Sequence, residues 1–83
     1  MKQLHFYYRE GCHLCEEMAA ILFKGWPAES DLMQWHDIDS KSEWQALYGL
    51  RVPVLTLGDE VLCEFFADIA VLEQRFGEAA NPV

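Results

Sequence analysis

The sequence predicts an α/β fold whose elements follow the order strand, helix, strand, helix, strand, strand, helix. Two observations predict it: strand and helix patterns of apolar residues alternate along the first half of the chain, and two strand patterns joined by a short Gly-Asp turn follow in the second half. Strands connected through a helix run parallel, whereas the strands of a hairpin run antiparallel, so the sheet should be mixed. A chain of 83 residues is the size of one small domain, which we expect to span residues 1–83.

The first predicted strand is the nearly continuous apolar run Leu4–Tyr8, which is typical of a strand covered on both faces. The first helix should begin at Cys12, because apolar residues recur behind it at helical spacing, and Gly25 should stop it as the residue just beyond its end. Residues 26–31 combine a proline with polar residues and predict a loop. Residues 32–38 resume an extended pattern and form the second predicted strand.

The second half of the chain begins with a short predicted helix. Ser40 and Glu43 have the Ser-x-x-Glu form of a capping box, and Gly49 follows the last apolar residue of the helical pattern. Residues 52–57 and 60–65 are strand patterns separated by the Gly-Asp turn. The sequence therefore predicts a β-hairpin after the second helix.

Pro53 lacks a backbone N–H, so it should lie at the start or the edge of its strand. Cys63, in the last strand pattern, is most simply a small buried hydrophobic residue.

A final helical stripe should end at Gly77, with Asp68 as its cap or as an acid in its first turn. Residues 78–83 should form a flexible tail.

The charge of the chain excludes several classes of partner. Fourteen acidic residues against six basic ones give a net charge of −8, which repels phosphate backbones and anionic membrane surfaces. We therefore expect no nucleic-acid partner and no membrane association. No apolar stretch approaches the roughly 18 residues of a membrane span, and the first residues lead into a strand rather than a signal peptide, so we expect a cytoplasmic protein.

Cys12 and Cys15 form a Cys-x-x-Cys motif that follows Gly11, where the first strand gives way to the first helix. Side chains three apart on a helix lie about 5–6 Å from each other, close enough for a reversible disulfide. The free N–H groups and the positive end of the helix favour a thiolate at Cys12, so we expect Cys12 to be the nucleophile and Cys15 the buried resolving thiol. His13, between them, is a candidate to stabilise the thiolate or to shuttle its proton.

Other interpretations of these residues stay open. The two cysteines are alternatively packing residues without a redox role. A zinc site needs two further ligands, and the sequence contains no second Cys-x-x-Cys and no His-x-x-x-His, so we expect no bound metal. His13 is alternatively a solvated surface side chain, and His5 and His36, which fall in strand patterns, are expected to be structural.

The order of elements, the Cys-x-x-Cys after the first strand, and Val52-Pro53 at the start of the third strand together resemble the thioredoxin superfamily, in particular its glutaredoxin-like branch. Residues 8–15 and 48–55 look most like a family of small bacterial glutaredoxin-like proteins. The resemblance implies a four-stranded mixed sheet in the order 4-3-1-2, sandwiched by helices. It also implies a cis Pro53 that faces the cysteine pair, with Val52 offering backbone groups to an extended substrate.

The activity that the resemblance implies is thiol–disulfide oxidoreduction. Cys12 attacks a disulfide, Cys15 releases the mixed disulfide, and an external reductant regenerates the pair without a bound cofactor. The partner would be a protein disulfide or a small thiol, and we expect a monomer. Two alternatives stay open: a non-catalytic thioredoxin-fold adaptor that uses Val52 and Pro53 for recognition, and a metal-handling protein, since some glutaredoxins bridge two chains through an iron–sulfur cluster.

Glutaredoxins bind glutathione through a basic residue before the first cysteine, a Thr-Val-Pro, and a glycine-containing turn after the fourth strand. By this resemblance the candidate substrate-binding residues are Arg9, Arg51, which replaces the threonine, and Asp68, which is retained from the turn. Phe65 and Phe66 replace the glycine pair, and we expect both to be buried. We therefore expect glutathione to bind weakly, although it or another small thiol could serve as reductant.

Overall fold

The computed structural model of the chain describes residues 2–83, which form a four-stranded mixed sheet flanked by helices. The strands are β1 (Leu4–Tyr8), β2 (Gln34–Asp37), β3 (Val54–Leu57) and β4 (Glu60–Glu64). Their order across the sheet is β2-β1-β3-β4. β2 runs parallel to β1, β3 runs antiparallel to β1, and β4 runs antiparallel to β3. The predicted mixed sheet and its strand order are confirmed.

The helices are α1 (His13–Gly25), α2 (Pro27–Asp31), α3 (Ser42–Tyr48) and α4 (Ile69–Phe76), with one turn of 3-10 helix at Ile38–Ser40.

The predicted hairpin is present, because Leu57 pairs with Glu60 across a two-residue turn. Gly58 occupies the first position of that turn with a φ of +59°, a conformation that glycine adopts without steric cost. Among residues 2–83, no helix combines the length and hydrophobicity that crossing a bilayer requires.

The main core lies on one face of the sheet, and its composition follows from the alternation of side chains along β1. Leu4 and Phe6 point to this face and pack with residues of α1 and α4. The buried residues of this core are Leu4, Phe6, Cys15, Met18, Ala19, Leu22, Trp26, Met33, Leu55, Leu62, Cys63 and Leu72. Because Cys15 belongs to this cluster, the beginning of α1 is anchored directly to the core.

The opposite face of β1 carries a cluster of histidines and aromatic rings instead of an aliphatic core. His5 Nδ1 lies 2.9 Å from His36 Nε2, so one imidazole donates a hydrogen bond to the other. Tyr7 stacks on His36 and on Tyr48 of α3, with ring centroids 4.9 and 4.3 Å apart. The expectation that β1 is covered on both faces therefore holds, but one cover is polar and aromatic.

The pH dependence of stability should report on this cluster. Burial, with the nearby charges of His5 and Lys41, lowers the pKa of His36 below its ordinary value of 6.5. The unfolded chain then binds more protons than the folded protein just below pH 6.5, so stability should fall as the pH drops through that region. We expect His36→Gln to flatten the curve there, as measured by urea unfolding between about pH 8 and pH 5.

A second acid-sensitive group acts in a different pH range and so does not mask this effect. A hydrogen bond from Arg51 lowers the pKa of the Glu64 carboxyl below its ordinary value of 4.5, so its stabilisation is lost only at lower pH. Parallel stability curves for the native chain and His36→Gln between pH 6.5 and pH 5 would show that His36 does not couple protonation to folding.

The segment predicted as a loop at residues 26–31 is mostly helical, so that prediction is wrong. Pro27 occupies the first position of α2, where a helix leaves the N–H of a residue without a partner and where proline is therefore tolerated. The second strand is correspondingly shorter than predicted. It begins at Gln34 and ends at Asp37, where the 3-10 turn starts.

The predicted capping box at the start of α3 is wrong. The N-cap residue is Lys41, and it makes no side-chain capping bond. Ser40 belongs to the preceding 3-10 turn, and its hydroxyl donates to the carbonyl of Asp37 at 2.6 Å. Ser40 therefore closes the turn and is not available to cap the helix.

Residues 78–83, predicted as a flexible tail, make contacts with the end of α1. The N–H of Ala80 donates to the carbonyl of Gly25 at 2.6 Å, and the Asn81 side-chain amide donates to another carbonyl of the last turn at 2.9 Å. Gly25 is the last residue of α1 rather than a residue beyond it, and Trp26 is the C-cap. A Cβ at Gly25 would lie 3.1 Å from the Val83 side chain, so the absence of a side chain leaves room for this segment.

Candidate redox site

The two cysteines of the motif form a disulfide at the beginning of α1, with their Cα atoms 5.2 Å apart. Cys12 is the N-cap residue and is partly exposed, whereas the side chain of Cys15 is only 4% exposed. The Cys15 N–H also donates to Cys12 Sγ at 3.1 Å. The spacing argument is therefore correct in placing the two sulfurs together, with the first of them nearer to solvent.

The chain reaches this position through a tight turn after β1. The N–H of Cys12 donates to the carbonyl of Arg9 at 3.3 Å, which closes the turn. Gly11 has a φ of +73°, in the left-handed region that favours glycine, and nothing lies within 4 Å of the position of a Cβ. Gly11 is therefore required for its backbone conformation and not to make room for a neighbour.

His13 lies between the cysteines in sequence, but its ring faces along the surface of α1. His13 Nε2 lies 3.2 Å from the Glu17 carboxylate, and both side chains are exposed. Glu16 adds a further acidic side chain in the first turn. The carboxylates act against the positive end of the helix, so they moderate its effect on a thiolate at Cys12.

Val52 and Pro53 lead into β3, and the peptide bond between them is cis. Pro53 is buried, and its carbonyl accepts a hydrogen bond from the Phe65 N–H at 2.9 Å. The N–H of Val52 donates to the carbonyl of Tyr48 at 3.0 Å. Donation from Val52 to an extended substrate would therefore require this internal bond to break, which limits the role expected of its backbone.

The two candidate arginines are engaged with carboxylates. Arg9 Nε lies 3.3 Å from both carboxylate oxygens of Asp39, and its Nη1 contacts the carbonyl of Gly49. Arg51 makes a two-point contact with Glu64, at 2.7 and 3.2 Å, which raises the pKa of Arg51. Because each positive charge has a negative partner, the arginines do not form the uncompensated basic patch that an anionic substrate would favour.

Asp68 serves as the N-cap of α4. Its Oδ1 accepts a hydrogen bond from the Val71 N–H at 3.3 Å, as its predicted capping role requires. Its own N–H donates to Cys63 Sγ at 3.4 Å. Cys63 is buried as predicted, and burial raises the pKa of its thiol, which disfavours the reactive thiolate form.

The prediction that Phe65 and Phe66 are buried is wrong, since their exposed fractions are 43% and 67%. Phe65 has a φ of +67°, which is uncommon for a residue other than glycine. The turn after β4 therefore keeps a left-handed residue at the position where the resemblance implies a glycine.

Two grooves flank α1 beside the disulfide, and sequence reasoning found neither. We name them the Phe66 groove, of about 430 Å³, and the Trp35 groove, of about 380 Å³. The Phe66 groove is lined by Leu14, Glu17, Met18, Ala20, Ile21, Phe66 and Ala67. The Trp35 groove includes Tyr8, Gly11, Cys15, Phe23 and Trp35. Each combines residues distant in sequence, so no local pattern indicates them.

Comparison with known proteins agrees with this geometry. The model of the family described as Glutaredoxin-like domain (DUF836) matches residues 3–77. Protein Ne2328 from Nitrosomonas europaea, solved by solution NMR, is 38% identical to the chain, with 89% of each chain covered and a TM-score of 0.68. No protein with a curated function matches significantly. The helix-initiating cysteine pair fits a redox role, and the chain belongs to this glutaredoxin-like family of the thioredoxin superfamily.

Proposed function

We propose that the chain is a thiol–disulfide oxidoreductase that uses Cys12 and Cys15. The observation that carries this proposal is the asymmetric disulfide at the beginning of the 13-residue α1, with one sulfur partly exposed and the other buried. In the reduced protein, the Cys15 N–H and the positive end of α1 stabilise a thiolate at Cys12. The exposed sulfur is then the nucleophile, and the buried one completes the exchange.

The reaction has two exchange steps. The Cys12 thiolate attacks one sulfur of a substrate disulfide, forms a mixed disulfide, and expels the other substrate sulfur as a thiolate. Cys15, after losing its proton, attacks the sulfur of Cys12, which forms the internal disulfide and releases the second substrate thiolate. Two electrons have then passed from the protein to the substrate. An external thiol reductant supplies two electrons to restore the two cysteines.

The proposal also includes the reductant and the cellular compartment. A net charge of −8 and the pairing of Arg9 and Arg51 with carboxylates support weak binding of anionic glutathione. Glutathione or another small thiol therefore acts as a diffusing reductant and not as a bound cofactor. The protein acts as a monomer in the cytoplasm, where reducing thiols are abundant.

A single-turnover experiment tests the proposal. The reduced chain is mixed with an excess of a disulfide-linked, fluorescence-quenched peptide, without any other reductant. One peptide disulfide should be reduced per chain, and mass spectrometry after alkylation should find Cys12 and Cys15 joined and Cys63 free. Reduction no faster than that by free cysteine at the same thiol concentration would refute the oxidoreductase activity. It would favour the non-catalytic thioredoxin-fold adaptor.

A further inference from the structure

The Phe66 groove begins at the cysteine motif. Leu14, an exposed residue between the two cysteines, forms one wall, and the exposed ring of Phe66 forms the other. Met18 is fully buried and lies at the base, with Ile21 and Ala67 beside it. Two large apolar side chains, Leu14 and Phe66, are thus exposed on one groove beside the cysteine motif, and a partner can cover them.

The far wall of the groove is held in place by the segment that precedes β3. The N–H of Phe65 donates to the carbonyl of Pro53, and Asp68 caps α4 immediately after the turn. The backbone of Phe66, between these two hydrogen-bonded residues, is therefore ordered before any ligand arrives. A preformed wall reduces the entropy that is lost when a ligand binds.

The volume and shape of the groove suit a side chain of a polypeptide. About 430 Å³ lies within the roughly 300–1,000 Å³ of ligand sites, and the groove is open along its outer side. An open apolar groove can bury one large side chain while the rest of a peptide continues toward Cys12. A substrate disulfide and an apolar neighbouring residue can thus be held together.

The charges at this end of the molecule favour a basic partner. Glu17 lines the groove, and Glu16 follows Cys15 in the first turn of α1. Glu17 lies 3.2 Å from His13, but both side chains are exposed and such a contact is weak, so the carboxylate stays available to a ligand. Arg51 is neutralised by Glu64, and the chain carries a net charge of −8. A lysine or arginine beside the apolar residue is attracted by Glu17, whereas an anionic tripeptide such as glutathione is repelled.

We propose that the Phe66 groove selects protein disulfides whose flanking segment carries a large apolar residue next to a basic residue. The apolar side chain packs between Leu14 and Phe66, and the basic side chain faces Glu17. This inference rests on the proposed function, since the bound segment becomes a substrate only when Cys12 attacks its disulfide. It adds the substrate class that the cysteine pair alone does not define.

Binding can be tested without any redox step. A peptide with adjacent leucine and lysine residues, and with serine in place of cysteine, is titrated into the oxidised protein and followed by amide NMR shifts. The shifts should cluster at Leu14, Ile21, Phe66 and Ala67, and Phe66→Ala should weaken binding about tenfold. The matched control is Phe23→Ala, on the other side of α1 in the Trp35 groove, which should leave the affinity unchanged. Phe66 is largely exposed, so its truncation should leave the fold intact, which circular dichroism checks.

The substrate class is tested with the corresponding disulfide peptides. For the basic apolar peptide, Phe66→Ala and Glu17→Gln should each raise KM several-fold with little change in kcat, whereas Glu43→Gln, an exposed change in α3, should not. Equal kcat/KM for an acidic peptide, a preference for glutathione disulfide, or loss of binding only in Phe23→Ala would overturn the inference while leaving the oxidoreductase intact. If the peptide binds but no disulfide is reduced, the proposed function fails, and the substrate class fails with it.

Discussion

Cys12→Ser should lower the rate of disulfide reduction by at least about 1,000-fold, because a hydroxyl cannot replace the attacking thiolate. Cys15→Ser should instead complete the first exchange and stop there. Mass spectrometry should then find one substrate half joined to Cys12. The measurement is peptide-disulfide reduction by the reduced protein, followed by mapping of the trapped species.

Cys63→Ala is the matched control for these two variants. Cys63 is buried in the core, and burial raises the pKa of its thiol, so it should take no part in the exchange. The variant should keep the activity of the native chain. A trapped adduct on Cys63, or a Cys15→Ser protein that traps nothing, would contradict the assigned roles of the cysteines.

Trp26→Ala should reduce the free energy of unfolding by about 3–5 kcal/mol, the usual cost of truncating a buried tryptophan. Trp26 is 2% exposed, and its Nε1 donates to the carbonyl of Gly77 at 2.8 Å, which joins the end of α1 to the end of α4. A domain of this size has a total stability of only about 5–15 kcal/mol, so the loss should be visible as a large fall in the denaturation midpoint. Urea unfolding followed by circular dichroism measures it.

Trp35→Ala is the comparison for that change. Trp35 is 43% exposed, stacks on Phe23 and packs edge-on against the buried ring of Phe6, so its truncation should cost about 1–2 kcal/mol, less than that of Trp26. A loss of only about 1 kcal/mol or less in Trp26→Ala would mean that the hydrogen bond and the burial of Trp26 do not stabilise the junction of the two helices.

The strands and the hairpin were predictable because their signals are local. The apolar run at Leu4–Tyr8 and the Gly-Asp turn each specify one element without help from the rest of the chain. α2 was missed because a proline among polar residues indicates a loop, although the same proline suits the first position of a helix. The contacts of residues 78–83 with α1 were not predictable, because they depend on the carbonyls that α1 exposes at its end.

At the candidate site, too, the features with local sequence signals were predictable and those that depend on contacts between distant elements were not. The position of Cys12 at the beginning of α1 follows from the three-residue spacing and the preceding glycine. The ion pair between Arg51 and Glu64 and the facing of Leu14 and Phe66 depend on which elements pack together, which no window of the sequence contains. The sequence therefore predicts the position of the cysteine pair but not the surface beside it.

A redox titration of the native chain tests the central claim most directly. The protein is equilibrated with thiol–disulfide buffers covering about −320 to −120 mV, quenched by alkylation, and the state of each cysteine is read by mass spectrometry. We predict one reversible two-electron transition in which Cys12 and Cys15 change together while Cys63 stays a thiol throughout. A pair that stays oxidised or reduced across that range, or a transition that involves Cys63, would contradict the assignment of Cys12 and Cys15 as the working redox couple.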